Sequence, residues 1–514
     1  MKKRYIFASF ILSAVVFLSL YGGASVVNSL QQFSLSLDDL WLDDTPMCCT
    51  SDEVLTEHHE TLLGYIVSDI WRSGRPRPYT LPNRLSKPAQ AVYVGLSAKG
   101  QLLSESWVHD GTVLAALETG IQLAREELSD ADQRRVDRIE IFLGHSFRQI
   151  EQDDFAAALK TDRHRGAKGL EISLGARRAM HSPLHFIRYN LSNGQLVREF
   201  AIDQSVTLDD LLERGGFNIF DGEQIVVTLQ NRPTANLMHR GNDLVDMAEI
   251  SPRKLRRARR LATEWLKTAV TSQTHTVSLY DPALRRAQRT ATHAEQWQTT
   301  TTLLHSTRYT ADPGLWSLTE ELVEGLLRDR SAPLSADALE ALSSFHRPDI
   351  VNALATNAAT SPQDLANDIF QQADQLLGEQ YWWPGADYPD FMGGFFADTH
   401  QSEMPNSEAT ARAVETLSAA LISAREAGDS TRADLYRTAL LRGLRALLQM
   451  QYNDAAELFF VPAELHPMAM GGFRTTVYDG RINVRAVNAA ITALSAALNA
   501  LQAEDYQTVT LPAA

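Results

Sequence analysis

Apolar positions along this chain follow two different periods, and the change falls near residue 250. Before that point short apolar runs alternate with turns. Ala91-Val92-Tyr93-Val94-Gly95-Leu96 predicts a strand, Ala98-Lys99-Gly100 a turn, and Gln101 to Val108 a second strand. Val113, Leu114, Leu117, Ile121 and Leu128 recur at helical spacing, which predicts a helix within Gly111–Leu128. Arg138–Leu143 and Gly169–Leu174 alternate as strands, Thr207–Glu213 is a helical turn, and Gln224–Leu229 is a last strand. Ser251-Pro252 then reads as an N-cap followed by proline in the first turn, opening a helix to Val270. From there the pattern is helical. Trp316–Arg328, Ser335–Phe345, Asp349–Leu354, Ser361–Tyr381, Asn406–Ala427, Thr431–Tyr452 and Asn483–Ala503 are the expected helices, and 271–315 and 382–405 read as long, less regular loops.

The last third repeats itself. Met392-Gly393-Gly394-Phe395 returns as Met470-Gly471-Gly472-Phe473. Each copy is followed by an Asn-led, Ala/Leu-rich helix, Asn406–Leu421 and Asn483–Leu498, with half of the aligned positions identical. Each is preceded by a helix ending alike, in Gln380-Tyr381 and Gln451-Tyr452. Three blocks in one order predict a helical hairpin used at least twice, and such hairpins bury their apolar faces by stacking on one another. The paired glycines predict a loop passing close to the inner helix, and the phenylalanine a plug between helices.

Net charge of -15 argues against a non-specific nucleic-acid binder, which needs a basic surface to release counterions. Against that balance Arg253, Lys254, Arg256, Arg257, Arg259 and Arg260 stand together on one predicted helix; this is either a solvated face or a contact for anionic lipid or anionic glycan. Lys2-Lys3-Arg4 precedes an apolar run from Tyr5 to Val27, and no Lys or Arg follows until Arg72. The positive-inside rule then places the bulk of the chain outside the cytoplasm, in the cell envelope, with residues 5–27 in the membrane. The run's length favours an uncleaved anchor, and small residues at Gly22 and Ala24 leave a cleaved signal as the alternative. The only cysteines, Cys48 and Cys49, are adjacent in an acidic stalk and match no zinc spacing. No metal or cofactor motif emerges. The expected organisation is α+β and multidomain: 1–27 anchor or signal, 28–50 stalk, 51–250 an α/β domain, 251–514 an all-α helical-hairpin domain.

Two resemblances add to this. The order strand, turn, strand, helix, then Arg135–Ile150 and Gly169–Pro183, resembles the AMMECR1 domain over about residues 85–200. This chain departs from it at Leu103-Ser104-Glu105-Ser106-Trp107, where that family has an Arg-Gly-Cys-Ile-Gly segment, so no thiol chemistry carries over. The Arg442–Phe473 stretch resembles the hairpin repeat of the terpenoid cyclase and protein prenyltransferase toroids, an architecture shared with six-hairpin glycosidases, over about residues 360–500. The resemblance implies an α/α toroid. Isoprenoid chemistry is disfavoured, because the helical region lacks an Asp-x-Asp-Asp acid and any cysteine ligand for zinc.

Carbohydrate chemistry needs carboxylates, aromatic platforms and hydrogen-bonding cations at one rim. Because the hairpins repeat, their two long loops should emerge together. The loops carry Asp398, Glu403 and Asp479 as candidate catalytic carboxylates. Tyr381, Trp382, Trp383, His400, Arg474, Tyr478 and Arg481 are the candidate substrate-binding residues. The expected function is an anchored envelope protein whose helical part binds or processes a glycan. The alternative is a non-enzymatic scaffold that binds a partner protein of the envelope.

Overall fold

A computed structural model describes residues 55, 59–80, 82–150, 164–229, 232–272, 275–310, 312–328, 362–382, 388–396 and 405–506. The expected anchor, the stalk with Cys48 and Cys49, the helices at 335–345 and 349–354, and the site residues Trp383, Asp398, His400 and Glu403 lie outside these. Among the described residues no helix is long and apolar enough to cross a membrane.

The first half is built on one sheet. After helix α1 (Glu60–Ser73), strands β1 (Ala91–Ala98) and β2 (Gln101–Val108) form a hairpin around Lys99-Gly100, both with positive φ. Helix α2 (Val113–Glu126) starts at Thr112, whose hydroxyl accepts from Ala115 N. Then come β3 (Arg138–Gln149), β4 (Gly169–Leu174), β5 (Arg177–His181), and helices α3 (Pro183–Tyr189), α4 (Asn193–Asp203) and α5 (Leu208–Arg214). Strands β6 (Gly216–Thr228) and β7 (Thr234–Met238) complete the sheet, in the order β2-β1-β3-β6-β4-β5 with β7 also on β6. Every pairing in it is antiparallel. The region is therefore α+β, with no parallel crossover of the α/β kind expected from strand and helix alternation. Strand β6 begins eight residues before the expected Gln224, and that early half carries Asn218, Asp221 and Glu223, which hide the strand from a hydrophobicity reading. Val92, Val94 and Leu96 of β1 share one apolar core with α1 and α2, while Phe186, Leu196 and Leu211 of α3–α5 cover β4 and the start of β6.

The second half is a row of helical hairpins. Helices α6 (Pro252–Ala269) and α7 (His293–Thr307) are joined by β8 (Val270–Ser272), β9 (His275–Asp281) and β10 (Arg286–Thr290). After α8 (Pro313–Arg328) come α9 (Pro362–Glu379), α10 (Ser407–Glu426), α11 (Ser430–Gln449), β11 (Ile482–Asn483) and α12 (Val484–Ala500). Asn406 caps α10 and Asn483 caps α12, each accepting from the first turn. Helix α12 packs between α10 and α7; α11 lies on α10 as α6 lies on α12. The hairpin α6/α7 is thus a third unit of the same kind, unrecognised in the sequence because a β-hairpin replaces the Met-Gly-Gly-Phe loop. First in the sequence, it stands last in space, beyond α11/α12. Strand β9 pairs with β11, tying the two connections together.

The segment 271–315, expected to be irregular, holds β9, β10 and α7. Helix α7 escaped notice because its core face is threonine. Thr299, Thr300 and Thr302 are buried and donate to the carbonyls of Glu295, Gln296 and Gln298, which satisfies the hydroxyls inside the helix.

The repeat is exact at the level of hydrogen bonds. Tyr381 N donates to Gly394 O and Gly393 N to Tyr381 O; Tyr452 N donates to Gly472 O and Gly471 N to Tyr452 O. Gln380 Nε2 bridges Gly393 O and Ala439 O, and Gln451 Nε2 bridges Gly471 O and Ala258 O. The glycines close on the neighbouring outer helix, α11 or α6, and not on the inner helix as expected. Phe395 and Phe473 are buried in the helical core. Contacts join all described residues into one compact unit, so Ser251 marks a change of architecture within it.

Candidate functional site at the junction

The two halves meet where the hairpin loops face the sheet's connections, and the contact is made largely by arginines. Arg138 Nη1 donates to Phe459 O at 2.8 Å, and Arg445 reaches Val245 O, Pro389 O and Met392 O. Arg188 pairs with the buried Glu140 and donates to Gly100 O. Buried arginines are stable when every charge has a counter-charge or a ring of carbonyls.

The predicted residues fall into two groups. Asp479, Arg481, Tyr478 and Arg474 come together. Asp479 is 6 % exposed and accepts from Arg481 Nε at 2.9 Å, from Arg481 N at 3.1 Å and from Asn190 Nδ2 at 3.3 Å. Burial pushes its carboxyl up, but the hydrogen bonds and charge of Arg481 outweigh this and hold it below the usual range. It is an ionised structural partner here, not a proton donor. Arg474, 4 % exposed, donates to the carbonyls of Arg240, Val477 and Gln449. Tyr381 and Tyr478 are half-buried against one small apolar cluster containing Tyr388, Phe391 and Val477. Trp382 stands apart, with the Arg442 guanidinium 4.2 Å from its ring centroid. That contact occupies one face of the ring a sugar would need.

The other half of the site comes from the α+β region and was missed. His164-Arg165-Gly166 and His239-Arg240-Gly241 are two copies of one triplet, each with a left-handed glycine, and Ile187 lies against both glycines. Arg240 donates to Arg165 O, pairs with Asp390 at 2.6 Å, and lies over the rings of Tyr388 and Phe391. His239 Nε2 lies 3.2 Å from the other Asp390 oxygen. His164 bonds the Tyr388 hydroxyl, and Arg165 holds Asn190 and faces Tyr478. A duplicated His-Arg-Gly is the signal that could have revealed these residues.

Electrostatics at the junction are lopsided. Arg165, Arg240, Arg445, Arg474 and Arg481 gather around the carboxylates of Asp390 and Asp479, with Asp246 near Arg445 and Asp281 near Arg481. Nearby, Glu457 is 3 % exposed and accepts from Asn453 N at 2.7 Å; burial pushes its carboxyl up to about 8, so it is neutral at pH 7. An unfolded glutamate titrates near 4.3. The unfolded chain therefore releases this proton first, and stability falls as pH rises from about 4.3 to about 8. Glu457→Gln should raise stability at pH 8 by about 1 to 3 kcal/mol and change little at pH 4. Urea midpoints at both pH values check this; equal shifts at the two would rule out the charge as the cause.

A shallow depression elsewhere, at the α10–α11 turn, is lined by Arg425, Gly428, Asp429, Ser430, Ala433 and Asp434 and offers no stacking ring. No group of three or more His, Cys, Asp or Glu suited to a metal ion occurs among the described residues.

No family model and no curated protein matches the chain. Among solved structures it is similar to the uncharacterized protein PH0010 from Pyrococcus horikoshii, at 12 % identity and a TM-score of 0.28, over 35 % of this chain and 96 % of that one.

Proposed function

We propose that this is an envelope protein that binds an acidic glycan at the junction of its two halves, its hairpins belonging to an α/α toroid. One observation carries the reading. Five arginines surround two carboxylates at the junction of a protein whose net charge is -15. Such a centre favours a negatively charged ligand, and arginine's planar fork suits a carboxylate. Half-exposed Tyr381, Tyr478, His164 and His239 supply rings and polar edges around it. Arg481 uses Nε and Nη2 on Asp479, and its side chain is 41 % exposed, so Nη1 is the donor we assign to a ligand. Binding is favoured over cleavage at this point, because Asp479 is held ionised by Arg481. Asp398 and Glu403 remain proposed catalytic carboxylates should the bound glycan also be cut, with Trp383 and His400 as proposed substrate-binding residues.

Calorimetry with oligogalacturonate as the probe tests this. Wild type should bind, more weakly as salt rises, and Tyr478→Ala with Arg481→Ala should weaken binding at least tenfold. Wild-type protein that ignores the probe, or a double variant that binds equally well, would remove the glycan reading. The Asp479–Arg481 pair, with its carboxylate buried, would then be a structural pair and leave the scaffold reading in place. Release of new reducing ends, lost in Asp398→Ala, would turn the binding protein into an enzyme.

A further inference from the structure

Helix α6 carries on its outward face more positive charge than Glu249 and Glu264, the acids beside it, can neutralise. Its inward face is Leu255, Ala258, Ala262, Trp265 and Leu266, all buried against α12 and the neighbouring loops. Outward, Arg253, Arg256, Arg257 and Arg260 are exposed. Their spacing of three, four and seven residues places them in one stripe about 10 Å long. Among the described residues none has a carboxylate at ion-pair distance; Arg257 donates to a carbonyl, that of Asn453.

This arrangement works against the helix. Neighbours three and four residues apart repel when alike in charge. The first turn of a helix favours acids, yet this one carries Arg253 and Lys254 and no acid. Only Lys254 is relieved, by Glu249. A local arrangement that costs stability and packs nothing is what a surface kept for an anionic partner looks like.

The flank of the stripe indicates which partner. Arg259, on the flank of the stripe, lies 4.2 Å from the ring centroid of Tyr309, a residue 46 % exposed. Lys267, further along α6, pairs with Asp312 at 2.7 Å, and one turn beyond Asp312 stands Trp316, 44 % exposed. Exposed tyrosine and tryptophan beside a row of arginines is the composition of a surface that rests at a headgroup layer, with amphipathic rings at the boundary and cations on the phosphates. The stripe is convex and straight, so it fits a flat anionic plane better than a single sugar chain. The acidic remainder of the protein does not cancel it, because charges beyond a Debye length of about 8 Å are screened.

We infer that the arginine face of α6, with Tyr309 and Trp316 at its flank, docks on a lipid bilayer carrying anionic headgroups. The site is separate from the junction and does not depend on the glycan reading.

Partition of the full chain into vesicles tests it. The ratio of partition into vesicles of one part phosphatidylglycerol to three parts phosphatidylcholine, over pure phosphatidylcholine, cancels any contribution of the apolar Tyr5–Val27 run. At about fivefold per arginine near the surface, Arg253→Glu with Arg256→Glu and Arg260→Glu should lower that ratio about a hundredfold or more. Raised salt should lower it likewise. Replacement of the same three by lysine should keep it, since headgroup attraction needs charge rather than a fork. The thermal midpoint should be unchanged in the lysine variant and no lower in the glutamate one, because these side chains are exposed and glutamate relieves the repulsion along the helix. A wild-type ratio near one, or a ratio unmoved in the glutamate variant, overturns the inference. A lysine variant as weak as the glutamate one also overturns it, and points to forked recognition of an acidic glycan.

Discussion

Gly471→Ala is expected to cost about 3 to 5 kcal/mol, enough to unfold the helical half in mild denaturant. Gly471 has φ +89°, in the left-handed region, where a side chain is itself unfavourable. A Cβ at this position would lie 2.0 Å from Leu261 O and 2.3 Å from its carbonyl carbon, and both are backbone atoms of a packed helix that cannot swing aside. The loop cannot retreat either, because Tyr452 and Gln451 hold Gly471 and Gly472 by three hydrogen bonds. Gly393→Ala should behave alike, since its Cβ would lie 2.0 Å from Arg442 O. Gly378, near the end of α9, is the control: a Cβ there meets nothing within 4 Å, so alanine should be neutral or stabilising by up to about 1 kcal/mol. Urea midpoints of the three variants test the argument. A Gly471→Ala protein as stable as the Gly378 variant would show that the loop is not fixed to α6.

Asp390→Ala is the second large effect. Asp390 is 1 % exposed, and its loss leaves Arg240, also 1 % exposed, without its counter-charge, at a cost of about 3 to 5 kcal/mol. Burial pushes the Asp390 carboxyl up, but Arg240 and His239 more than reverse this and hold it far below the usual carboxylate range. An acid with a depressed folded pKa contributes its stability above its unfolded value, near 3.9, and loses it as pH falls further. The wild type should therefore lose stability steeply below about pH 4, and Asp390→Ala should show a flatter acid limb. Asp390→Leu combined with Arg240→Met should recover much of the loss, because a buried pair replaced by apolar groups of similar volume is often neutral. Chemical denaturation across pH separates these outcomes. Identical acid limbs for wild type and Asp390→Ala would place the acid-sensitive group elsewhere.

What could be read from residues alone was what obeys a period. The β1–β2 hairpin and α2 follow from strict alternation and helical spacing, and the α9/α10 and α11/α12 hairpins follow from a repeated segment. Helix α7 hid behind threonines, because hydroxyls bonded to their own helix bury as readily as apolar groups but leave no apolar stripe. Strand β6 hid half its length behind Asn218, Asp221 and Glu223. The third hairpin hid because its connection differs while its packing does not. At the site, Asp479, Tyr478, Arg481 and Arg474 were found together because they share one loop of the repeat. His164, Arg165, His239 and Arg240 were not, because they reach the two hairpin loops from more than a hundred residues earlier in the chain. Charge alone could not say that Arg474 and Asp479 would be enclosed; that depended on the sheet's connections arriving over them.

The order of the hairpins has a consequence for how this chain comes to be. Helix α6 leaves the ribosome more than two hundred residues ahead of α12, yet α12 is the surface that covers its Leu255 and Leu266. Until Val484–Ala500 emerges, α6 and α10 both present apolar faces with no cover. Local contacts cannot complete this half of the molecule in stages from its N-terminus. Helix α12 acts as a keystone, set between two rows that were already standing, and the growing chain needs protection from self-association until it is placed.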